Sequence, residues 1–255
     1  MYTSKVLWRD LNSLIPSSLS CKWDNDGAMC LSDPEREIKK VLLTLDITSE
    51  AVDYAIEHNV DAIVSHHPLI FTPIRSINGC DVKSRIITKL MRSGISALSF
   101  HTRLDAVTGG VNDILSSIIG AINVETFVED GIPLARKGMI EPIRAIDLAK
   151  KIKSSLGSDS VGVTCPDKIV SSILIVGGSG KDLIDPAIDS FTDCLITGEV
   201  SYNAMLDAAD SGLSVITAGH FFTENPVLSA LESMIAKLNP NIEIIYYNSN
   251  LIQHI

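Results

Sequence analysis

Short apolar, β-branched runs alternate with amphipathic stretches along almost the whole of this 255-residue chain. That alternation limits the fold more than any other feature. A strand returning parallel to its neighbour needs a crossover of a dozen or more residues, usually a helix. Strands that alternate with helices therefore form a mostly parallel sheet covered by helices. The expected class is α/β, with two similar βαβ-containing lobes, residues 1–122 and 123–255.

Apolar spacing at Leu7, Leu11, Leu14 and Ile15 predicts a helix that stops at Pro16. The segment Trp23-Asp24-Asn25-Asp26-Gly27 is rich in turn residues and on spacing alone is a surface loop. A strand is expected from Glu37 to Leu45, then a helix capped by Ser49 and running to about His58. Next come a strand from Val60 to Ser65, a helix from Asp81 to Arg92 stopped by Gly94, and a strand from Ile95 to Phe100. After the turn Gly109-Gly110 a helix covers Val111 to Ile119. Two short strands, Val124–Val128 and Leu134–Glu141, flank a turn at Asp130-Gly131, and Pro142 occupies the first turn of a helix to about Leu156. Strands at Ser160–Thr164 and Ile169–Val176 lead to Gly177-Gly178-Ser179-Gly180. This glycine run lacks the Lys-Ser/Thr of a P-loop and reads as a tight turn before a helix from Lys181 to Ser190. The last elements are a strand Cys194–Thr197, a helix from Ser201 to Asp210, a strand Leu213–Thr217, a helix from Glu224 to Leu238 and a strand Glu243–Asn248.

Two of these βαβ units resemble each other. Asp61-Ala62-Ile63-Val64-Ser65-His66-His67 is followed by a helix, by Ser93-Gly94-Ile95-Ser96, and by His101 and Asp105. Asp193-Cys194-Leu195-Ile196-Thr197-Gly198-Glu199 is followed by a helix, by Ser211-Gly212-Leu213-Ser214, and by His220 and Glu224. Both end in a histidine with a carboxylate four residues later. Ligands bind outside the carboxyl ends of strands in open α/β sheets. Two related lobes packed about a pseudo-twofold would bring His66, His67, His101, Asp105, Glu199, His220 and Glu224 to one cleft. Four of the six histidines in the chain lie at these strand ends.

A net charge of −10 disfavours a surface that tracks phosphate backbones, so nucleic acid is not expected as a partner. The five cysteines are scattered, with no CxxC pair, which suits reduced thiols in a cytoplasmic protein rather than a disulfide framework or a thiolate metal site. No apolar run approaches about 18 residues, so no membrane span is expected.

Imidazoles and carboxylates together suit one or two divalent transition ions; Zn, Mn and Fe fit this mixed set better than Mg or Ca. Such an ion makes hydroxide available near neutral pH and polarises a carbonyl, imine or phosphoryl oxygen. His101 and Glu199 are candidates for orienting the ligands or for proton transfer. These residues alone allow a metal-dependent hydrolase acting on a small polar molecule. The alternative is a non-catalytic oligomeric metal-binding scaffold, or a metal-storage or delivery protein.

Taken in order, Trp23-Asp24-Asn25 with Gly27, His66-His67-Pro68, His101-Thr102 with Leu104-Asp105, Gly198-Glu199 and Gly219-His220 with Glu224 resemble the NIF-three-like family. Its bacterial members are often labelled GTP cyclohydrolase 1 type 2 homologues. The resemblance spans nearly the whole chain and matches the short form, without an inserted domain. It implies a dinuclear site with His66, His67, Asp105, His220 and Glu224 as ligands and Glu224 bridging. It also implies a GTP cyclohydrolase-like reaction on a purine nucleotide, a ring-shaped homohexamer with sites facing its interior, and a role for Trp23–Gly27 as a site wall. Ala28-Met29-Cys30-Leu31 departs from the bulky apolar residue and glycine usual after that loop.

Overall fold

The computed structural model describes residues 1–253 and divides into two compact units. One comprises Met1–Leu104 with Leu228–Asn250; the other comprises Asp105–Val227 with the described residues from Leu251 onward. Residues 228–250, placed in the second lobe by the sequence halves, thus belong with the first unit. The reason is strand pairing, since Glu243–Tyr246 lies parallel to Lys40–Thr44, matching Glu243 to Lys40 and Tyr246 to Leu43.

In the first unit the strand order is Gly27–Cys30, Ser96–Ser99, Ala62–Ser65, Lys40–Thr44, Glu243–Tyr246. All pairs are parallel except the first, Gly27–Cys30 against Ser96–Ser99, a short strand that begins at the last residue of the turn-rich segment Trp23–Gly27. Leu42, Ile63 and Ala97 from neighbouring strands pack against Val52, Ile86 and Leu90 from the helices Ser49–Glu57 and Val82–Ser93. The register aligns Thr44, Ser65 and Ser99 in one row, all fully buried. Whatever follows each of those residues therefore leaves the sheet at the same level: Leu45-Asp46, His66-His67 and Phe100-His101.

The second unit has the order Ile122–Glu129, Ile132–Arg144, Ile169–Ile175, Cys194–Thr197, Ser214–Thr217, Gly162–Val163. Only the pairs on either side of Cys194–Thr197 are parallel, so "mostly parallel" describes the first sheet and not this one. The antiparallel part begins with a hairpin at Asp130 (φ 51°) and Gly131 (φ 81°), the left-handed pair that a two-residue turn matching strand twist requires. Pro142 lies in the long strand Ile132–Arg144, not in a helix. The ladder skips between Met139 and Ile143, where a proline without an N–H is tolerated, and the helix starts at Ala145. Other boundaries move as well. Thr48, not Ser49, caps its helix by accepting from the Ala51 N–H at 3.1 Å. The expected helix from Glu224 is instead a five-residue helix, His220–Glu224, then a 3₁₀ turn, Asn225–Val227, then a helix Leu228–Leu238. Pro226 falls at the break: it has no N–H to give to the carbonyl four residues back, while Asn225 before it keeps helical backbone angles (φ −53°, ψ −32°).

The repeat is visible atom by atom. Asp61 Oδ2 accepts from the Lys39 and Lys40 amides (2.8 and 3.0 Å), and Asp193 Oδ2 accepts from the Ser171 and Ser172 amides (3.0 and 2.9 Å). A cation closes each clasp onto the residues that turn back toward the sheet. Arg36 Nη1 binds the Ser93 and Gly94 carbonyls, and Lys168 Nζ binds the Gly212 carbonyl. Ser65 pairs with Ser99 and Thr197 with Thr217, so His101 is equivalent to Gly219 and His220 to Thr102. The two His-x-x-x-carboxylate pairs are therefore one residue out of step, which the sequence alignment concealed.

Among the described residues no disulfide joins the cysteines and no helix is long and apolar enough to cross a membrane.

Candidate metal-binding groups

The first unit holds His66, His67 and His101. Their ring centroids are 5.0 Å (66–67), 5.3 Å (66–101) and 5.6 Å (67–101) apart. One ring nitrogen from each lies within 4.8 Å of the other two. His66 is fully buried and the other two are partly buried. The common strand register delivers all of them to one place.

Each ring is fixed through Nδ1. His66 Nδ1 is 2.9 Å from the Phe100 carbonyl oxygen, His67 Nδ1 is 2.8 Å from Asp46 Oδ1, and His101 Nδ1 is 2.8 Å from Asp24 Oδ1. A carbonyl or carboxylate oxygen can only accept, so Nδ1 carries the hydrogen and the neutral ring has its lone pair on Nε2. This is the tautomer that a metal-ligating histidine needs, and a carboxylate or carbonyl on the other nitrogen is its usual support.

The loop read from spacing as a surface turn exposes Trp23 and Asn25 but buries its two carboxylates. Asp24 and Asp26 have 0% and 4% of their side chains exposed. Asp24 also accepts from the Thr102 amide (3.0 Å) and hydroxyl (2.6 Å). Burial works to raise its pKa, but the hydrogen bonds from His101 and Thr102 outweigh burial and lower it to about 2. Asp26 receives Arg103 in a two-pronged pair, Nε at 2.8 Å and Nη2 at 2.7 Å. Arg103 Nη1 reaches Asn12 Oδ1 (2.7 Å) and the Ile15 carbonyl (3.0 Å), and its guanidinium lies over Trp8 and Phe100.

The second unit holds Asp105, Glu199, His220 and Glu224. His220 and Glu224 are the first and last residues of one helical turn, so their side chains share a face. His220 Nε2 is 3.1 Å from Glu224 Oε2, and its Nδ1 is 3.2 Å from Glu199 Oε1. Glu224 is buried and Glu199 is exposed.

Glycines make this arrangement possible. A Cβ on Gly178, whose φ is +63°, would collide with the Glu224 carboxylate and lie 3.1 Å from His220 Nε2. A Cβ on Gly198 would meet the Gly178 carbonyl oxygen at 2.6 Å and His220 Cα at 2.8 Å. The Gly177–Gly180 run is a tight turn, as its composition implied. It is also the backing against which Glu224 and His220 rest, a role its spacing did not reveal.

Asn112 is a positioning residue that sequence reasoning missed. Fully buried, it donates to the Asp105 carbonyl (3.2 Å) and accepts from the Gly177 amide (2.8 Å). The available signal was an amide beside Val111 and Leu115 on the inward face of the helix Val111–Ile119, which also buries Ser116.

The donor set fits a divalent transition ion. It offers imidazole nitrogens in the ligating tautomer and partly buried carboxylates, with no thiolate among them.

Known proteins resemble the chain over most of its length. A Lactococcus lactis protein described as a GTP cyclohydrolase 1 type 2 homolog is 34% identical over 210 residues, covering 81% of each chain. A Clostridium acetobutylicum protein of the same description is 32% identical over 260 residues, covering 97% of this chain and 96% of its own. The crystal structure of a Staphylococcus aureus hypothetical protein superposes with a TM-score of 0.89 at 25% identity, covering 99% of both chains. Matched over residues 3–251 by the model of the Duf34/NIF3 (NGG1p interacting factor 3) family, the chain belongs to that family.

Proposed function

We propose that His66, His67, Asp105, His220 and Glu224 together hold divalent cations, about two per chain with Glu224 bridging, and that the protein is a metal-dependent hydrolase acting on a small polar molecule. The observation that carries this reading is the common fixing of Nδ1 in His66 and His67, which presets Nε2 as the ligating atom in both. The name of the bacterial relatives supports a GTP cyclohydrolase-like reaction on a purine nucleotide as the specific activity.

Divalent ions bound by such a set supply acidified water and polarise the bond to be cleaved. The residues of the chain do the rest. Asp46 and the Phe100 carbonyl orient the imidazoles of His67 and His66. His101, tied to Asp24, stands beside both rings with Nε2 able to take a proton. Glu199, exposed and against His220 Nδ1, is placed to pass a proton to solvent. The chain assembles in this proposal as a homohexamer, which light scattering on the eluted protein tests.

The experiment is turnover of GTP, and of a panel of cyclic amides and nucleotides, by protein reloaded with Zn, Mn or Fe. Wild type turns over a substrate at least about a hundredfold faster than His66→Ala, as expected for a residue that holds the reacting ion. Equal rates in the two proteins, with metal bound in wild type, would leave a non-catalytic scaffold or a storage and delivery role.

A further inference from the structure

Two large aromatic side chains on separate loops of the first unit stand in water beside the imidazoles. Trp23 is 64% exposed and Phe71 is 50% exposed. Scattered exposed apolar residues are ordinary, but these two are not scattered. Their rings meet edge to face at 6.1 Å and 67°. Each also meets His101 edge to face, Trp23 at 6.2 Å and 74°, Phe71 at 6.1 Å and 88°. The three rings are thus nearly equidistant, with the histidine held from behind by Asp24.

The arrangement is built rather than incidental. Asn25 donates its side-chain amide to the Ile70 carbonyl, joining the two loops next to the residues that carry the rings. Phe71 also lines a cavity of about 380 Å³, which is at the small end of ligand pockets. The cavity wall brings two cations, Arg75 and Lys83, against one acid, Asp81. That acid is committed to the cap of the helix Val82–Ser93, accepting from the Ser84 amide at 2.8 Å. The local balance is therefore positive in a chain of net charge −10.

We propose that Trp23 and Phe71, in edge-to-face contact, form an exposed aromatic platform on which a planar nitrogen heterocycle bearing an anionic group stacks, with Arg75 and Lys83 receiving the anion. Aromatic faces bind any planar base, and Trp and Phe do so without regard to its hydrogen-bonding edge. The platform adjoins His101, which both of its rings meet edge to face. This deepens the proposed function by naming the residues that select its substrate class. It rests on that reading only for what happens to the ring afterwards.

The test is calorimetric titration of the full chain with adenosine monophosphate, adenosine and ribose 5-phosphate, on metal-stripped and metal-loaded samples whose metal content is measured in parallel. Adenosine monophosphate is expected to bind saturably in both samples and to quench tryptophan emission, while ribose 5-phosphate does neither. Trp23→Ala and Phe71→Ala each weaken its binding about tenfold or more with metal content unchanged. Arg75→Ser with Lys83→Ser lowers the affinity to that of adenosine and leaves adenosine itself unaffected. Both aromatic positions are solvent-exposed, and a melting curve for each variant confirms that it folds. Adenosine monophosphate binding that is absent from wild type, or unchanged in the two aromatic variants, would overturn the platform whether or not metal is bound. Loss of metal binding with the titration intact would overturn the hydrolase reading and leave the platform standing.

Discussion

His101 gives its Nδ1 hydrogen to Asp24, a carboxylate with no exposed side-chain surface, across 2.8 Å. A residue in a turn-rich loop thereby sets the orientation of an imidazole 77 positions later in the chain. Replacing Asp24 by Asn removes the full-charge acceptor and leaves buried donors of His101 and Thr102 poorly matched. The expected cost is about 1–3 kcal/mol, read as a lower denaturation midpoint with unchanged slope.

The same pair makes a pH prediction. Asp24 has its pKa lowered in the folded protein, to about 2 from the ordinary 3.8. A depressed carboxyl contributes stability that is fully present above its unfolded value and is lost as pH falls toward the folded one. Between about pH 4 and pH 2, wild type should therefore lose stability more steeply than Asp24→Asn. Melting curves at fixed ionic strength across that window check it, and parallel slopes would count against the assignment.

Arg103 and Asp26 form a pair with 2% and 4% of their side chains exposed. Removing one partner from such a pair leaves a buried charge uncompensated, which costs about 3–5 kcal/mol. Arg103→Ala is expected to be destabilised by that amount in chemical denaturation. Arg103→Lys should recover little, because an ammonium cannot reproduce the fork that reaches Asp26, Asn12 and the Ile15 carbonyl.

Gly178 and Gly109 both have positive φ, +63° and +78°, but only Gly178 has neighbours where a Cβ would go. An alanine at either position bears the left-handed penalty of about 1–2 kcal/mol. Only Gly178→Ala also displaces the Glu224 carboxylate. Metal titration should show Gly178→Ala weakened at least about tenfold, with Gly109→Ala close to wild type.

Asn112→Leu keeps the volume and deletes the links to the Asp105 carbonyl and the Gly177 amide. The expected outcome is a loss of about 1–3 kcal/mol in stability together with weaker metal binding. Unchanged metal affinity in a destabilised variant would show that Asn112 supports the fold without positioning the ligands.

Much of this was legible in the chain, for identifiable reasons. The helix Val111–Ile119 and the strand Cys194–Thr197 have the bounds their patterns implied, because a glycine turn and a β-branched run left no competing choice. Gly94 ends its helix at φ +68°, as a helix-stopping glycine should. Pro142 misled because an N-terminal helical proline and a proline at a strand irregularity look alike in one dimension. The strand Gly27–Cys30 is four residues long and contains no β-branched residue, so neither propensity nor periodicity marks it.

The site was readable as a set of residue types and unreadable as a set of supports. Histidines at strand ends stand out in an acidic chain. Asp46, Asp24 and Asn112 do not, because hydrogen bonds to a ring nitrogen or a distant carbonyl follow from tertiary placement. Gly178 was seen as a turn because positive φ is a local property, whereas its approach to Glu224 spans 46 positions of sequence. The one-residue offset between the two repeats was likewise invisible until strand register fixed the equivalences.

Metal content by mass spectrometry tests the proposed ligand set most directly. Wild type, His66→Ala and His220→Ala would be dialysed against Zn, Mn or Fe and then against metal-free buffer. The account predicts about two ions per chain in wild type and a substantial loss in each variant alone, with folding intact by circular dichroism. Retention of the wild-type ion content by either folded variant, or no retained metal in wild type, would contradict it.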